Sequence, residues 1–283
     1  MKDNIKYCKE LITKHGKSYS LATKFFPKKL QDATYVLYAF YRIPDDIVDV
    51  PNTKTTKSPA ELLQNWSNAW DECIKTGKSY HPVLEESYRV HKTYNIDFRY
   101  SQDFLKAMKQ DLAQNRYQNF DELKSYMYGS AAVVGIMMTH VIGTLNKQLD
   151  SKTLELAASL GYGMQLTNFL RDIKEDLEIR NRIYLPIDDL QRYEISTADI
   201  EQKIYPKRFK EFMEFQLERA ENFYNEAEKG IENLTKSGRF AVKFASNLYL
   251  EYHRLIRESN YQVFDTEYKI YNWRKFIIFL KSL

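Results

Sequence analysis

The sequence predicts an all-α, single-domain helical bundle, and three observations carry that expectation. Glycine and proline are scarce, nine and seven in 283 residues, roughly half the usual share of each. A sandwich or barrel of many short strands needs more turn chemistry than that. Apolar residues recur at helical spacing over long stretches, with start and stop signals at their ends. No repeat, low-complexity tract or polar linker divides the chain, so residues 1–283 read as one domain large enough to bury a sizeable core.

Residues 3–15 form an amphipathic helix through Ile5, Cys8, Leu11 and Ile12, with Gly16 placed to close it as a C-cap. Lys17-Ser18-Tyr19-Ser20 is a polar break that serves either as a helix cap through Ser18 or as a set of donors for a phosphate. Residues 30–49 carry Tyr35, Tyr38, Ala39 and Arg42 into Asp45, Asp46 and Asp49. Pro44 has no backbone N–H, which predicts a bend or a helix junction just before Asp45. Residues 51–57 read as a polar loop.

Ser58-Pro59-Ala60-Glu61 then combines an N-cap, a proline at the first helical position and a capping-box glutamate, opening a helix that bears Trp66 and Trp70. Residues 82–94 and 97–115 give two further helices, the second with Asp111 on the face of Ala107 and Met108. Asn119 and Glu122 open the next, which runs through Tyr126 and Tyr128 into the small-residue stretch Gly129–Gly135. Such a stretch suits either close helix packing or the wall of a cavity. A central helix spans 150–179 and ends near Arg180-Asn181-Arg182, ahead of Pro186. Long helices over 206–235 and 238–259 follow. The apolar tail Tyr271–Leu280 is expected to pack on the core, the alternative being a membrane surface.

The balance of 42 basic and 38 acidic residues gives a net charge of +4. No basic block is long enough for a nucleic-acid footprint, so none is expected as a partner. Cys8 and Cys73 show no metal or redox spacing, which points to a reducing compartment. The N-terminal residues lack a signal-peptide core, and no run approaches the roughly 18 apolar residues of a membrane span. The expected location is cytoplasmic, with peripheral contact at the inner face of a membrane left open, as is the oligomeric state.

Two stretches carry the chemistry. In Asn168-Phe-Leu-Arg-Asp172-Ile-Lys-Glu-Asp176, three oxygen-bearing side chains recur every four residues and form one polar stripe on a helix. Arg42-Ile-Pro-Asp45-Asp46-Ile-Val-Asp49 repeats the device upstream. Like charges at this spacing repel by a few tenths of a kcal/mol per pair, so a compensating cation is expected. Mg²⁺ fits, because it takes oxygen ligands and shares them between carboxylates and a substrate's phosphates. A solvated acidic face is the alternative for either stretch alone. Together they are harder to read that way, because both sit among apolar residues.

Four motifs resemble those of the head-to-head prenyl synthases, the family of squalene, phytoene and dehydrosqualene synthases. They are Tyr38-x-x-x-Arg42-x-x-Asp45-Asp46-x-x-Asp49, Tyr126-x-Tyr128-x-x-Ala131-x-x-Val134-Gly135, Gln165-x-x-Asn168-x-x-Arg171-Asp172-x-x-x-Asp176 and Arg182-Ile-Tyr-Leu-Pro186. The resemblance runs from about His15 to Phe264, and the pattern stands nearest to bacterial dehydrosqualene (4,4'-diapophytoene) synthases.

It implies an isoprenoid-synthase-type bundle with a central apolar cavity. Asp45, Asp49, Asn168, Asp172 and Asp176 would hold two or three Mg²⁺ ions. Ser18, Arg42, Gln165, Asn168, Arg171 and Tyr249 would bind the diphosphates of two prenyl substrates. Tyr38, Arg42, Tyr126, Arg171 and Tyr249 would carry catalysis, the tyrosines facing cations or relaying protons. The implied reaction joins two farnesyl diphosphates through presqualene diphosphate to dehydrosqualene. Phytoene from geranylgeranyl diphosphate and squalene formed with NADPH are the alternatives; no Gly-x-Gly-x-x-Gly stretch is present, and NADPH is not expected. A catalytically silent assembly or scaffold protein is the non-enzymatic alternative. A terpene cyclase is disfavoured by the absence of an Asn-x-x-x-Ser-x-x-x-Glu motif.

Three departures from the family pattern stand out. Gly16 replaces a small polar residue after the first histidine. Asp265-Thr-Glu267-Tyr268-Lys269 replaces a basic cluster, leaving Lys269 as the candidate substitute. Pro44 precedes the aspartate pair.

Overall fold

The structure, a computed structural model, describes residues 2–50 and 55–283, and of Lys2, Lys17 and Ser18 the backbone alone. Most of the loop expected at 51–57 therefore lies outside the described residues, as does the side chain of Ser18. The first helices are α1 (Lys2–His15), α2 (Lys17–Thr23), α3 (Lys28–Asp49), α4 (Pro59–Thr76), α5 (Pro82–Tyr94) and α6 (Phe98–Asp111). A π-helical turn, Tyr128–Ala132, joins α7 (Phe120–Met127) to α8 (Val133–Ile142). Asp172 is the junction between α9 (Ser151–Arg171) and α10 (Ile173–Arg180). The short helices α11 (Ile187–Arg192) and α12 (Thr197–Glu201) precede α13 (Phe209–Ile231), α14 (Lys236–Glu258) and α15 (Asn272–Lys281). Among the described residues there is no strand, only two isolated bridges.

Local chemistry accounts for most boundaries. Ser58 and Glu61 form the predicted reciprocal capping box, and α4 ends on Gly77 in the left-handed region at φ 72°, a conformation glycine adopts without strain. Asn119 and Asp150 accept the N–H groups of Glu122 and Thr153 at 2.9 and 2.8 Å, satisfying donors that a helix start leaves free. Asn181 ends α10 at φ 52°.

Four expectations are corrected. Gly16 follows α1 at φ −112°, so it is not a left-handed cap; its lack of a side chain serves Tyr38, as described below. Pro44 does not divide α3, which runs unbroken to Asp49 with the proline buried. Ile43, Ile47 and Val48 pack against the main core on either side of it, and that burial outweighs the one backbone bond proline removes. The helix expected at 150–179 does break, at Asp172, with φ −105° and ψ 14°. Finally, Phe120–Ile142 is long and apolar enough to cross a membrane by length and composition, yet 61% of its most apolar window is buried inside the bundle. That burial makes it a core element of the bundle.

At the centre, α9 lies against α8, the π-turn, α13 and α14. Small residues permit this closeness. A Cβ on Gly161 would sit 2.6 Å from the Ala131 carbonyl oxygen, and one on Gly135 would sit 2.4 Å from that of Ala157. The Gly129–Gly135 stretch therefore does both things the sequence allowed. It packs helix on helix, and Ser130, Ala131, Val134 and Gly135 also line a cavity.

Candidate active site

The cavity encloses about 1130 Å³ of empty space when its open mouth is counted. It follows α9 from Thr153 to Asn168, a helical span of about 22 Å. Its walls are aliphatic, among them Val134, Met138, Leu156, Leu160 and Met164, and the apolar floor includes Ile142 and Leu234. Polar groups concentrate at the opposite end, where Gln165, Asn168, Tyr19 and Tyr249 face in. Asn168 Oδ1 is buried there without a protein partner, an acceptor left open towards whatever enters.

Both acidic stretches gather beyond that polar end. On α3, Arg42 Nη1 donates to Asp45 Oδ2 at 2.9 Å and Nη2 lies 2.5 Å from Asp46 Oδ1, while the buried Nε of Arg42 has no partner. Asp172 follows Asn168 by one turn, its N–H donating to the Asn168 carbonyl at 2.9 Å. Adjacent residues on an unbroken helix do not face each other. The break at Asp172 lets Arg171 fork onto it, Nε to Oδ1 at 2.7 Å and Nη2 to Oδ2. The Arg171 guanidinium also lies 4.7 Å from the Tyr252 ring centre.

The two stretches are joined by arginines that the sequence reading took for a helix terminus. Arg180 Nη1 donates to Asp176 Oδ1 at 3.1 Å, and its Nε lies 2.9 Å from Asp49 Oδ2 without the alignment of a hydrogen bond. Arg182 Nη1 donates to Asp49 Oδ1 at 2.7 Å. Behind it, Asp111 accepts from Tyr126 OH at 2.6 Å and Tyr184 OH at 2.9 Å. Tyr184 stacks on Phe169 with ring centres 4.0 Å apart, so an aromatic wall backs the acids. One signal for Arg180 was present in the sequence: it stands four residues after Asp176, on the same helix face.

Crowding shows in the acid strengths. Burial, then the neighbouring Asp49, pushes Asp45 up to about 7, Arg42 pulling the other way. Burial pushes Asp176 up to about 8, against the pull of Arg180 and with Asp172 and Asp49 adding to the rise. Carboxylates that raise one another in this way want a cation. The donors are all oxygens and suit a hard ion such as Mg²⁺. Among the described residues, however, no three carboxylates already converge on one metal position, because each is held by an arginine. The expected cage is therefore a set of acids brought together and neutralised by guanidinium groups.

The predicted tyrosines fall in different places. Tyr38 lies beside Tyr19, ring centres 6.0 Å apart, and its ring fills the space where a Cβ on Gly16 would come within 2.8 Å. The departure at Gly16 thus makes room for Tyr38. Tyr249 lines the cavity; burial raises its hydroxyl pKa, while Arg171 and a hydrogen bond with Asn168 oppose the rise. Tyr126 is 2% exposed, committed to Asp111, and set behind the cavity wall. Lys269 pairs with Glu267 at 3.0 Å on the surface, so no substitute for the family's basic cluster reaches the acids from there.

The squalene/phytoene synthase model matches residues 12–274. A phytoene synthase of Arthrospira platensis is 33% identical over 96% of this chain and 90% of its own. A 15-cis-phytoene synthase of a Synechocystis strain is 33% identical over 91% and 78%. Among solved structures, a dehydrosqualene synthase superposes with a TM-score of 0.90 at 26% identity, over 99% of this chain and 95% of that one. A squalene synthase from Alicyclobacillus acidocaldarius shares the fold at a TM-score of 0.82 and 20% identity. The arginine-held acids at the end of a long apolar cavity agree with these likenesses: the chain belongs to the squalene/phytoene synthase family, prenyltransferases that join two prenyl diphosphates head to head.

Proposed function

We propose that the chain condenses two farnesyl diphosphates to dehydrosqualene by way of presqualene diphosphate. The observation that carries the reading is one cavity, about 22 Å along α9, whose aliphatic body leads to a polar end at Gln165, Asn168, Tyr19 and Tyr249, with the arginine-held acids beyond it. The near-complete superposition on a dehydrosqualene synthase supports the thirty-carbon product.

The residues suit the steps. Asp45, Asp49, Asn168, Asp172 and Asp176 would hold Mg²⁺, which when bound neutralises the charge of a departing diphosphate. Arg42 and Arg171 bind diphosphate oxygens, the buried Nε of Arg42 being a donor without a protein partner. Departure of the first diphosphate leaves an allylic cation. The double bond of the second substrate attacks it, a proton is lost, and a cyclopropylcarbinyl diphosphate results. A second departure, rearrangement and proton loss join the two C1 carbons. Tyr249, which lines the cavity, and Tyr38, beside the cavity-lining Tyr19, are the aromatic rings available to stabilise these cations. Their hydroxyls stay protonated, because burial pushes Tyr38 up to about 12 and raises Tyr249. The aliphatic walls exclude water that would trap a cation.

A phytoene synthase acting on geranylgeranyl diphosphate is the second reading, favoured by the names of the relatives at 33% identity. Purified protein with Mg²⁺ and either substrate, with and without NADPH, followed by mass spectrometry of the extracted product, separates the two. Dehydrosqualene from farnesyl diphosphate, unchanged by NADPH, is expected. Phytoene formed from the longer substrate alone overturns the chain-length assignment. Absence of product from both substrates overturns the synthase reading and favours a silent assembly role.

A further inference from the structure

The last turn of α9 carries Asn168 and Arg171 and stops at the break at Asp172. A helix end leaves carbonyls without partners inside the helix, so side-chain contacts set how that turn is rolled about the helix axis. Arg171 lies over the Tyr252 ring of α14. Thr167, four residues before Arg171 and on the same face, is wholly buried.

Thr167 is the centre of a buried polar cluster drawn from three helices. Its Oγ1 lies 2.8 Å from the Gly163 carbonyl oxygen, from Tyr224 Oη on α13 and from His253 Nε2 on α14. Tyr224 and His253 are 4% and 1% exposed. The other imidazole nitrogen, Nδ1, is 3.1 Å from Glu221 Oε1 on α13, which also accepts from Arg257 Nη1 at 2.6 Å. Burial pushes Glu221 up, but the bonds from His253 and Arg257 outweigh it and hold the acid at about 2. A carboxylate only accepts, so Nδ1 carries a proton. When Nε2 is protonated as well it donates to Thr167, and when it is bare it accepts the hydroxyl proton of Thr167. The bond between His253 and Thr167 is kept in both protonation states.

We propose that His253 is a positioning residue: through Thr167 it sets the roll of the last turn of α9 and so aims Asn168 and Arg171 at a diphosphate. Apolar contact is non-directional and would hold the three helices together without fixing that roll. A buried network with its partners satisfied is directional and rigid. His253 joins all three helices at this level, reaching α9 through Thr167 and α13 through Glu221. The role rests on the reading of Asn168 and Arg171 as diphosphate ligands, and the test separates the two.

Binding of inorganic pyrophosphate with Mg²⁺ to the full chain is measured by calorimetry, beside the melting temperature. Asparagine places its amide nitrogen near Nδ1 and glutamine near Nε2. H253N therefore keeps the bond to Glu221 and loses that to Thr167, while H253Q does the reverse. Each loses one bond, so the two should melt alike. H253N should bind pyrophosphate roughly tenfold more weakly than the wild type, the scale of one hydrogen bond to a charged group, and H253Q within about twofold of it. T167V should match H253N, and T167S, which restores the hydroxyl, should recover binding. A purely structural role predicts losses that follow the melting temperature, with H253N and H253Q alike; that result overturns the positioning role, as does T167V binding like the wild type. R171A checks the reading beneath. If it binds pyrophosphate as tightly as the wild type, the diphosphate assignment fails and the positioning role with it. A weak R171A beside a wild-type-like H253N overturns the positioning role alone.

Discussion

Arg182 donates to Asp49 at 2.7 Å, with only 7% and 16% of the two side chains exposed. The last carboxylate of the first acidic stretch is thereby fixed by the chain that follows α10, and the same guanidinium donates to the Asp111 carbonyl at 3.3 Å. Removing one partner of a buried pair leaves a desolvated charge unpaired. Arg182→Ala should lower stability by about 3–5 kcal/mol, measured by urea denaturation. A midpoint unchanged from the wild type would show that Arg180, 2.9 Å from Asp49, is sufficient to hold it.

Asp172 bears both the second acidic stretch and the fork from Arg171. Asp172→Asn keeps the shape and removes the charge, so turnover should fall by about two to three orders of magnitude, as when a group that stabilises transition-state charge is lost. The circular dichroism spectrum should be unchanged. Near-normal turnover would remove the carboxylate from the mechanism.

The raised acid on Asp176 sets the sign of a pH effect. Its folded value of about 8 stands above the unfolded value near 3.8, so between those values the folded state binds more protons than the unfolded one. Stability from this group is full below about pH 4 and is lost as pH rises towards 8. The melting temperature of metal-free protein should therefore decline across pH 5 to 8 more steeply than that of Asp176→Asn. Parallel profiles in differential scanning fluorimetry would contradict the assignment.

Tyr126 and Tyr249 test placement against residue type. Tyr126→Phe removes a hydroxyl bonded to a buried carboxylate, which should cost about 1.5–3 kcal/mol of stability with turnover changed less than threefold. Tyr249→Phe should leave stability nearly unchanged and lower turnover, because that hydroxyl lies in the cavity beside Asn168. Comparison of chemical denaturation with single-turnover rates decides. A Tyr126→Phe variant that is stable and slow would move that ring into the reaction.

Much of this arrangement was legible in the sequence because both acidic stretches obey helical spacing, and helical spacing survives tertiary packing. Capping was legible for the same reason: Ser58 and Glu61 act within four residues. What spacing does not carry is contact between distant segments. Arg180 and Arg182 read as helix-terminal cations until the fold set them against Asp49. Gly16 read as a cap until Tyr38 was seen to fill its missing side chain. The break at Asp172 left no proline or glycine to mark it, and the side-chain fork with Arg171 that accompanies it is a contact local propensity does not express.

The close contacts of Gly135 and Gly161 bear on how such a site can change. At that level the wall is main chain, since the carbonyls of Ala131 and Ala157 lie where side chains would be. Substitution there can only add bulk into occupied space, so the waist of the cavity is closed to gradual adaptation. Selection for a longer or shorter substrate is left to the side chains that line the cavity, such as Met138, Leu160 and Met164 on its walls and Ile142 and Leu234 at its floor, and a mutant library aimed at chain length is best confined to such positions.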